Sequence, residues 1–331
     1  MRGRLAAVLC LCVVSSAAVG AYLKLGTQVG SRIVPLTWQR QPIRYAIGNE
    51  GVGGVPVEAL RDAVAHAFSS WQATLGVSLT TEFSGITNNV PFVTDGVSVI
   101  GFRARPDLDR TLGATTFSLD TSTGEVLESD IFLNSTFPWS TDPRGDSTAF
   151  DVESIALHEI GHLLGLGHSA LGETEVSSPG RRRVLGKRAV MFPIAFPPGP
   201  ATDRVPQADD KAGLIDLYGA ADIQRRLGSI IGRVTLNGAG LFGAHVTAFN
   251  PSTGDMVATF TLTSSGDFVI AALTPGVYVL RAEPLDDADL DSFFEPDEIV
   301  NINFKPAFAS ALVAVPAGGT SDAVEIKAAS K

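Results

Sequence analysis

The segment His158-Glu159-Ile160-Gly161-His162-Leu163-Leu164-Gly165-Leu166-Gly167-His168 carries the clearest chemistry in the chain. On an α-helix, side chains four residues apart lie about 40° from each other around the axis, so His158 and His162 project from one face and can share a metal ion. Glu159 stands beside them. Gly165 lets the chain turn out of the helix at little steric cost and brings His168 round as a third nitrogen ligand. Three neutral imidazoles leave one position of a tetrahedral ion open to water, which suits a catalytic zinc. Core imidazoles satisfied by local hydrogen bonds are the alternative; the joint spacing of three His, one Glu and one Gly weighs against it.

Such a face needs a rigid support, and the surrounding sequence supplies one. Ala156, Ile160 and Leu163 occupy the far side of the same helix, which opens near Asp151 as N-cap and stops at Gly165 and Gly167. Ile43 to Ile47 alternates as a strand. Pro56 opens a helix whose Leu60, Val64, Phe68 and Trp71 recur at helical spacing. Strand-like runs follow at Val77 to Phe83, Gly96 to Phe102, Thr115 to Leu119 and Ile131 to Leu133, and a third helix spans Ala208 to Tyr218. From Gly228 onward short β-rich runs alternate with turns: Ile230 to Leu236, His245 to Phe249, Met256 to Leu262, Phe268 to Ala271, Val277 to Ala282 and Ala323 to Ile326. At 331 residues the chain exceeds one average domain, and the texture changes at about 220–228.

The histidine segment followed by Ala189-Val190-Met191-Phe192-Pro193 resembles the matrixin branch of the metzincin zinc endopeptidases, whose Met-turn passes beneath the metal and is followed by Pro. The resemblance covers about residues 31–219. Pro42-Ile43-Arg44-Tyr45 is similar to the family's first strand, Ala63 to Trp71 to its first helix, and Asp209-Asp210 to Tyr218-Gly219 to its closing helix. It implies peptide-bond hydrolysis by a zinc-activated water, with His158, His162 and His168 as ligands, Glu159 as general base and Met191 as a packing floor. It further implies an extended protein or peptide substrate along a strand edge at Gly113 and Ala114, and a specificity pocket near Pro193, Ala195 and Phe196.

The chain also departs from the animal members of that family. Beyond the motif its histidines are His66 and His245, far apart and in unlike contexts, so one zinc is expected and not two. An insertion over residues 170–188 carries Arg181, Arg182, Arg183, Lys187 and Arg188 and reads as a solvated loop. Calcium is a weaker expectation, at Asp120 and Asp130 by analogy with the family. A second candidate is Asp287, Asp289, Asp291 and Glu298, which fall at calcium-loop offsets although Ser292 stands where that turn needs Gly.

Composition narrows the partners. A formal charge of −10 argues against nucleic acid and against an anionic membrane surface. Arg2 and Arg4, the apolar run Leu5 to Val14 and the small residues to Gly20 have the layout of a signal peptide over residues 1–21; an uncleaved anchor is the alternative. Cys10 and Cys12 both lie in this leader, so the exported chain would have neither disulfides nor thiolate ligands.

The expected fold class is α+β: a metzincin-type zinc protease domain over residues 31–219, with a mixed twisted sheet and three helices, followed by a small antiparallel β-sandwich over residues 228–331. The second resembles carboxypeptidase regulatory-like modules through Gly243-Ala244-His245-Val246 and Leu273 to Tyr278, and would bind protein, glycan or the cell envelope. The functional expectation is a secreted or cell-envelope zinc endopeptidase. The alternative is an extracellular binding protein with an inactive zinc-protease fold.

Overall fold

The computed structural model describes residues 8–9, 24–30, 32–177, 181–199 and 201–331. Apart from the backbone of Val8 and Leu9, the expected leader lies outside the described residues.

The N-terminal part is built on one mixed sheet. Its elements are β1 (Val8–Leu9), the hairpin of β2 (Gly26–Val29) and β3 (Arg32–Pro35), β4 (Ile43–Gly48), helix α1 (Val57–Gln72), β5 (Thr81–Thr87), β6 (Val99–Arg103), β7 (Gly113–Asp120) and β8 (Glu125–Asn134). Among the described residues the sheet order is β1-β7-β8-β6-β4-β5. β4 runs parallel to β5 and β6, and β6 to β8, whereas β7 is antiparallel to β8 and carries β1 antiparallel on its outer edge. In β4 Ile43, Tyr45 and Ile47 are buried and Arg44 is exposed, but the alternation stops at Ala46, which is buried as well.

Short strands β9 (Trp139–Ser140) and β10 (Phe150–Asp151) lead into helix α2 (Val152–Leu163). Asp151 caps it, accepting from the Ser154 N–H at 2.9 Å. α1 buries the predicted face of Leu60, Val64, Phe68 and Trp71, and the Trp71 indole donates to the Leu157 carbonyl of α2 at 2.9 Å. That bond and the apolar contact fix α2 against α1 and the sheet. At the far end Gly165 takes φ +94°, and a Cβ there would run into the Leu36 carbonyl oxygen.

The Arg-rich insertion is not an open loop. It folds as an antiparallel hairpin of β11 (Gly172–Ser177) and β12 (Arg181–Lys187), in which Arg182 finds the Asp289 carboxylate and the Asp286 carbonyl, and the exposed Arg183 pairs with Glu175 across the hairpin. Helix α3 (Ala208–Tyr218) follows with a Gln207–Asp210 capping box, and a short helix α4 (Ala221–Gln224) falls where the sequence changes texture at about 220–228.

The C-terminal part comprises β13 (Gly228–Leu236), β14 (Ala239–Gly240), β15 (His245–Phe249), β16 (Met256–Phe260), β17 (Asp267–Leu273), β18 (Gly276–Glu283), β19 (Phe304–Lys305), β20 (Ala307–Phe308), β21 (Val313–Val315) and β22 (Val324–Ser330). One sheet runs β14-β13-β22-β19 with β17 on β13; another runs β16-β15-β18-β20 with β21 on β18. Ile230, Val234 and Ile270 from the first and Val246, Tyr278 and Leu280 from the second share one buried cluster. The expected all-antiparallel pairing fails at one place: β22 lies parallel to β13, Gly232 opposite Val324. A parallel neighbour requires a long return connection, which the excursion between β18 and β22 provides.

The two parts share a further core. Ala170, Val184 and Phe192 pack with Phe260, Leu285, Phe293 and Phe294, and Ala212 of α3 joins the C-terminal cluster. Asp209 bridges them, accepting from the Ser169 hydroxyl at 2.6 Å and the Ala258 N–H at 2.8 Å.

The Gly165 turn yields a test. Gly165→Ala combines a disfavoured φ with a backbone collision and should cost about 2 kcal/mol or more. Thermal or urea unfolding measures it, and an unchanged midpoint would refute the role given to this turn.

Candidate metal centre

α2 carries His158 and His162 one turn apart, and the Gly165 turn returns His168 to face them. Their ring centroids are 4.8, 5.5 and 4.8 Å apart, and their ligand atoms all lie within 4.8 Å of one another. Among the described residues this is the one group of His, Cys, Asp or Glu close enough to hold an ion. His66 is exposed near Glu153, and buried His245 sits beside Glu283 in the C-terminal part.

The orientation of each ring follows from its other nitrogen. His158 Nδ1 meets the Val190 carbonyl at 2.8 Å, His162 Nδ1 the Leu166 carbonyl at 2.8 Å, and His168 Nδ1 the Ser292 carbonyl at 2.8 Å. A carbonyl only accepts, so each Nδ1 carries the proton and each Nε2 keeps its lone pair for a metal. Burial and the neighbouring imidazoles hold His158 well below the ordinary histidine range. Burial and His168 pull His162 down to about 3, and burial lowers His168. Neutral, pre-aimed imidazoles of this kind fit a divalent zinc ion.

Glu159 points off the same helix and is buried. Burial pushes its carboxyl up to about 7, partly offset by the Thr115 hydroxyl, which donates to Oε2 at 2.8 Å. Thr115 also bonds the Glu159 carbonyl at 3.0 Å, tying α2 to β7. Gly113 of β7 matters here because a Cβ would stand 2.9 Å from Glu159 Oε1. Ala114 pairs with Phe132 in the β7–β8 ladder.

Met191 lies beneath α2, against Gly161, where a Cβ would strike its sulfur. Asp210 fixes this turn by accepting the N–H groups of Val190 at 2.8 Å, Met191 at 3.0 Å and Gln207 at 2.7 Å. Burial raises its carboxyl to about 6 against the pull of those bonds. Pro193 and Ala195 are half-buried beyond the turn. Phe196 leans toward the shared core, with the Lys187 ammonium 5.5 Å from its ring centre. Lys187 is itself held by Asp203 at 2.6 Å.

Of the calcium candidates, Asp130 accepts the backbone N–H groups of Phe92, Val93 and Val99, and Asp120 that of Ser122. Asp287 bonds Thr174, Asp289 pairs with Arg182, and Glu298 accepts from Glu295 N–H, and among the described residues these carboxylates form no group able to hold an ion. Sequence reading missed Thr115, Asp210 as an anchor of the Met191 turn, and Ser292. Their positions become significant only once β7, α3 and a C-terminal turn converge on α2.

Residues 37–177 match the sequence pattern of the matrixin family, a likeness that implies zinc. The matched stretch ends with β11; Met191, α3 and the C-terminal sheets lie beyond it. Metalloendoproteinase 1-MMP of Arabidopsis thaliana is 30% identical over 191 residues, 55% of this chain and 44% of that protein. Metalloendoproteinase 1 of Glycine max is 29% identical over 177 residues, 49% of this chain and 46% of its own. Matrix metalloproteinase-25 of Mus musculus is 41% identical over 76 residues, 22% of this chain and 10% of that protein. The chain thus spans less than half the length of these relatives.

Two tests follow from the geometry. A lowered histidine pKa keeps the ring neutral at lower pH. Between pH 7.5 and 5.5 three unshifted imidazoles of pKa about 6.5 would lose about 10³ in zinc affinity. Chelator competition should instead find a loss below about tenfold, and the full loss would show that the rings are not held neutral. Asp210→Ala leaves three N–H groups without their acceptor and should cost about 3 kcal/mol or more in denaturant unfolding. A small change would mean that water replaces it.

Proposed function

We propose that the chain is a zinc-dependent endopeptidase, with His158, His162 and His168 as ligands and Glu159 as general base. One observation carries the reading: three neutral imidazoles, each oriented through Nδ1 by a backbone carbonyl, surround a site beside one buried carboxylate. When bound, zinc supplies Lewis acidity, bringing the pKa of water toward about 7 and polarising a carbonyl. The chain's own residues do the rest. Glu159, pushed up to about 7, is poised to take a proton from water and return it to the leaving amine. Thr115 holds Oε2, which leaves Oε1, beside the gap at Gly113, to handle that proton.

The substrate reading rests on β7. Its outer edge accepts an extended antiparallel segment, since Leu9 pairs there with Phe117 and Val8 with Ser118. Gly113 and Ala114 continue that strand beside Glu159, and Pro193, Ala195 and Phe196, which follow the Met191 turn in the chain, would line the specificity pocket. We further propose that residues 31–219 form the protease unit and residues 228–331 a β-sandwich of carboxypeptidase regulatory-like type. The leader would direct export. Among the described residues no helix is long and apolar enough to cross a membrane.

Glu159→Gln tests the assignment. It should retain one zinc per chain by metal analysis and lose at least about 10²-fold in cleavage of an unstructured protein. Near-normal turnover would remove Glu159 from the chemistry; a zinc-loaded wild type that cleaves nothing, with or without chelator, would favour a binding protein on an inactive protease fold.

A further inference from the structure

We infer that the C-terminal unit completes the metal centre: the turn Leu290–Phe293 is a positioning element that orients His168 through the Ser292 carbonyl. The inference rests on the zinc reading above. His158 and His162 stand on a packed helix, and their Nδ1 acceptors, Val190 and Leu166, belong to the N-terminal part. His168 lies past the end of α2 in chain without regular structure, where no helical ladder sets its ring. Its acceptor comes from 124 residues downstream.

That acceptor is held as firmly as the ligand requires. Residues Leu290–Ser292 form a single 3₁₀ turn closed by Ser292 N–H to Asp289 O at 3.0 Å and Phe293 N–H to Leu290 O at 3.0 Å. Phe293 is fully buried, its ring 6.0 Å from that of His168 and 5.3 Å from that of Phe260. The turn is also clamped to the Arg-rich hairpin. Thr174 donates its N–H to Asp287 Oδ1 at 2.8 Å and its hydroxyl to Asp287 O at 2.7 Å. Arg182 donates to Asp286 O at 2.7 Å and Asp289 Oδ1 at 3.0 Å. The acidic stretch and the basic insertion are therefore partners, and their product is one carbonyl delivered to the third imidazole. Fixing the ring and its tautomer in advance removes that ordering cost from metal binding.

The test uses the full-length chain and reads the metal rather than turnover. Phe293→Ala should weaken zinc by about 10- to 100-fold in chelator competition, as loss of an outer hydrogen-bond partner does, and alter the visible spectrum of the cobalt-substituted protein. Phe293→Leu should restore most of both. Ile326→Ala empties a buried position of the C-terminal core away from His168 and should lower the unfolding midpoint while leaving zinc affinity and spectrum near wild type. Arg182→Ala loosens the clamp from its hairpin side, should weaken zinc in the same direction, and decides the matter if Phe293→Ala does not fold. Unchanged affinity in Phe293→Ala, or in Arg182→Ala where that variant decides, overturns the inference, as does equal weakening in Ile326→Ala. In metal-free protein labelled with ¹⁵N-histidine, a protected Nδ1 proton on His168 should vanish in Phe293→Ala; persistence also overturns it. A wild type that takes up no zinc would sink the zinc reading and leave this proton signal to judge the turn. Zinc uptake without cleavage would remove the proposed activity alone.

Discussion

The centre depends on the commitment of three imidazole Nδ1 protons to backbone carbonyls. Each bond settles a tautomer, aims a lone pair and keeps a ring neutral in a place where burial already penalises charge. The scaffold is arranged so that those carbonyls are available. Leu166 presents one because Gly165 reverses the chain, Val190 presents another because Asp210 holds its turn, and Ser292 presents the third from a separate pair of sheets. Glu159 is buried in the same environment with the opposite consequence, its proton retained to near neutrality.

Two adjacent carboxylates divide the structural work. Asp209 and Asp210 both sit in the first turn of α3, where the helix dipole favours negative charge. Asp210 gathers the Met191 turn, while Asp209 faces the other way and joins Ser169 to Ala258 in the C-terminal part. Burial raises Asp210 to about 6 and Asp209 to about 7, a cost offset by the donors each one satisfies. One helix start thus ties the floor of the metal site to the sheets that follow.

Much of this was legible in the sequence where local rules govern. The α1 face, the Asp151 cap, α3 and the convergence of His158, His162 and His168 follow from periodicity, capping chemistry and a single glycine turn. What was hidden depends on long-range meeting. Thr115 is an ordinary strand threonine until β7 lies against α2. The basic insertion reads as solvated because the carboxylate and carbonyl that hold Arg182 lie over a hundred residues away. Phe293 and Phe294 carry no strand period, so the core they share with Ala170 and Phe192 leaves no trace in either segment alone. The parallel β13–β22 pair escaped for a related reason: strand direction is set by a connection, not by the residues of the strand.

The bond from His168 to Ser292 also has a consequence in time. A polypeptide emerges from the ribosome N-terminus first, and domains tend to fold in that order. Here α2 and the first two imidazoles can assemble early, but the third lacks its acceptor until 124 more residues have been made. Completion of the centre is therefore deferred until β18 and the turn that follows it have left the ribosome. A nascent fragment that already has the whole histidine motif would hold an unfinished site.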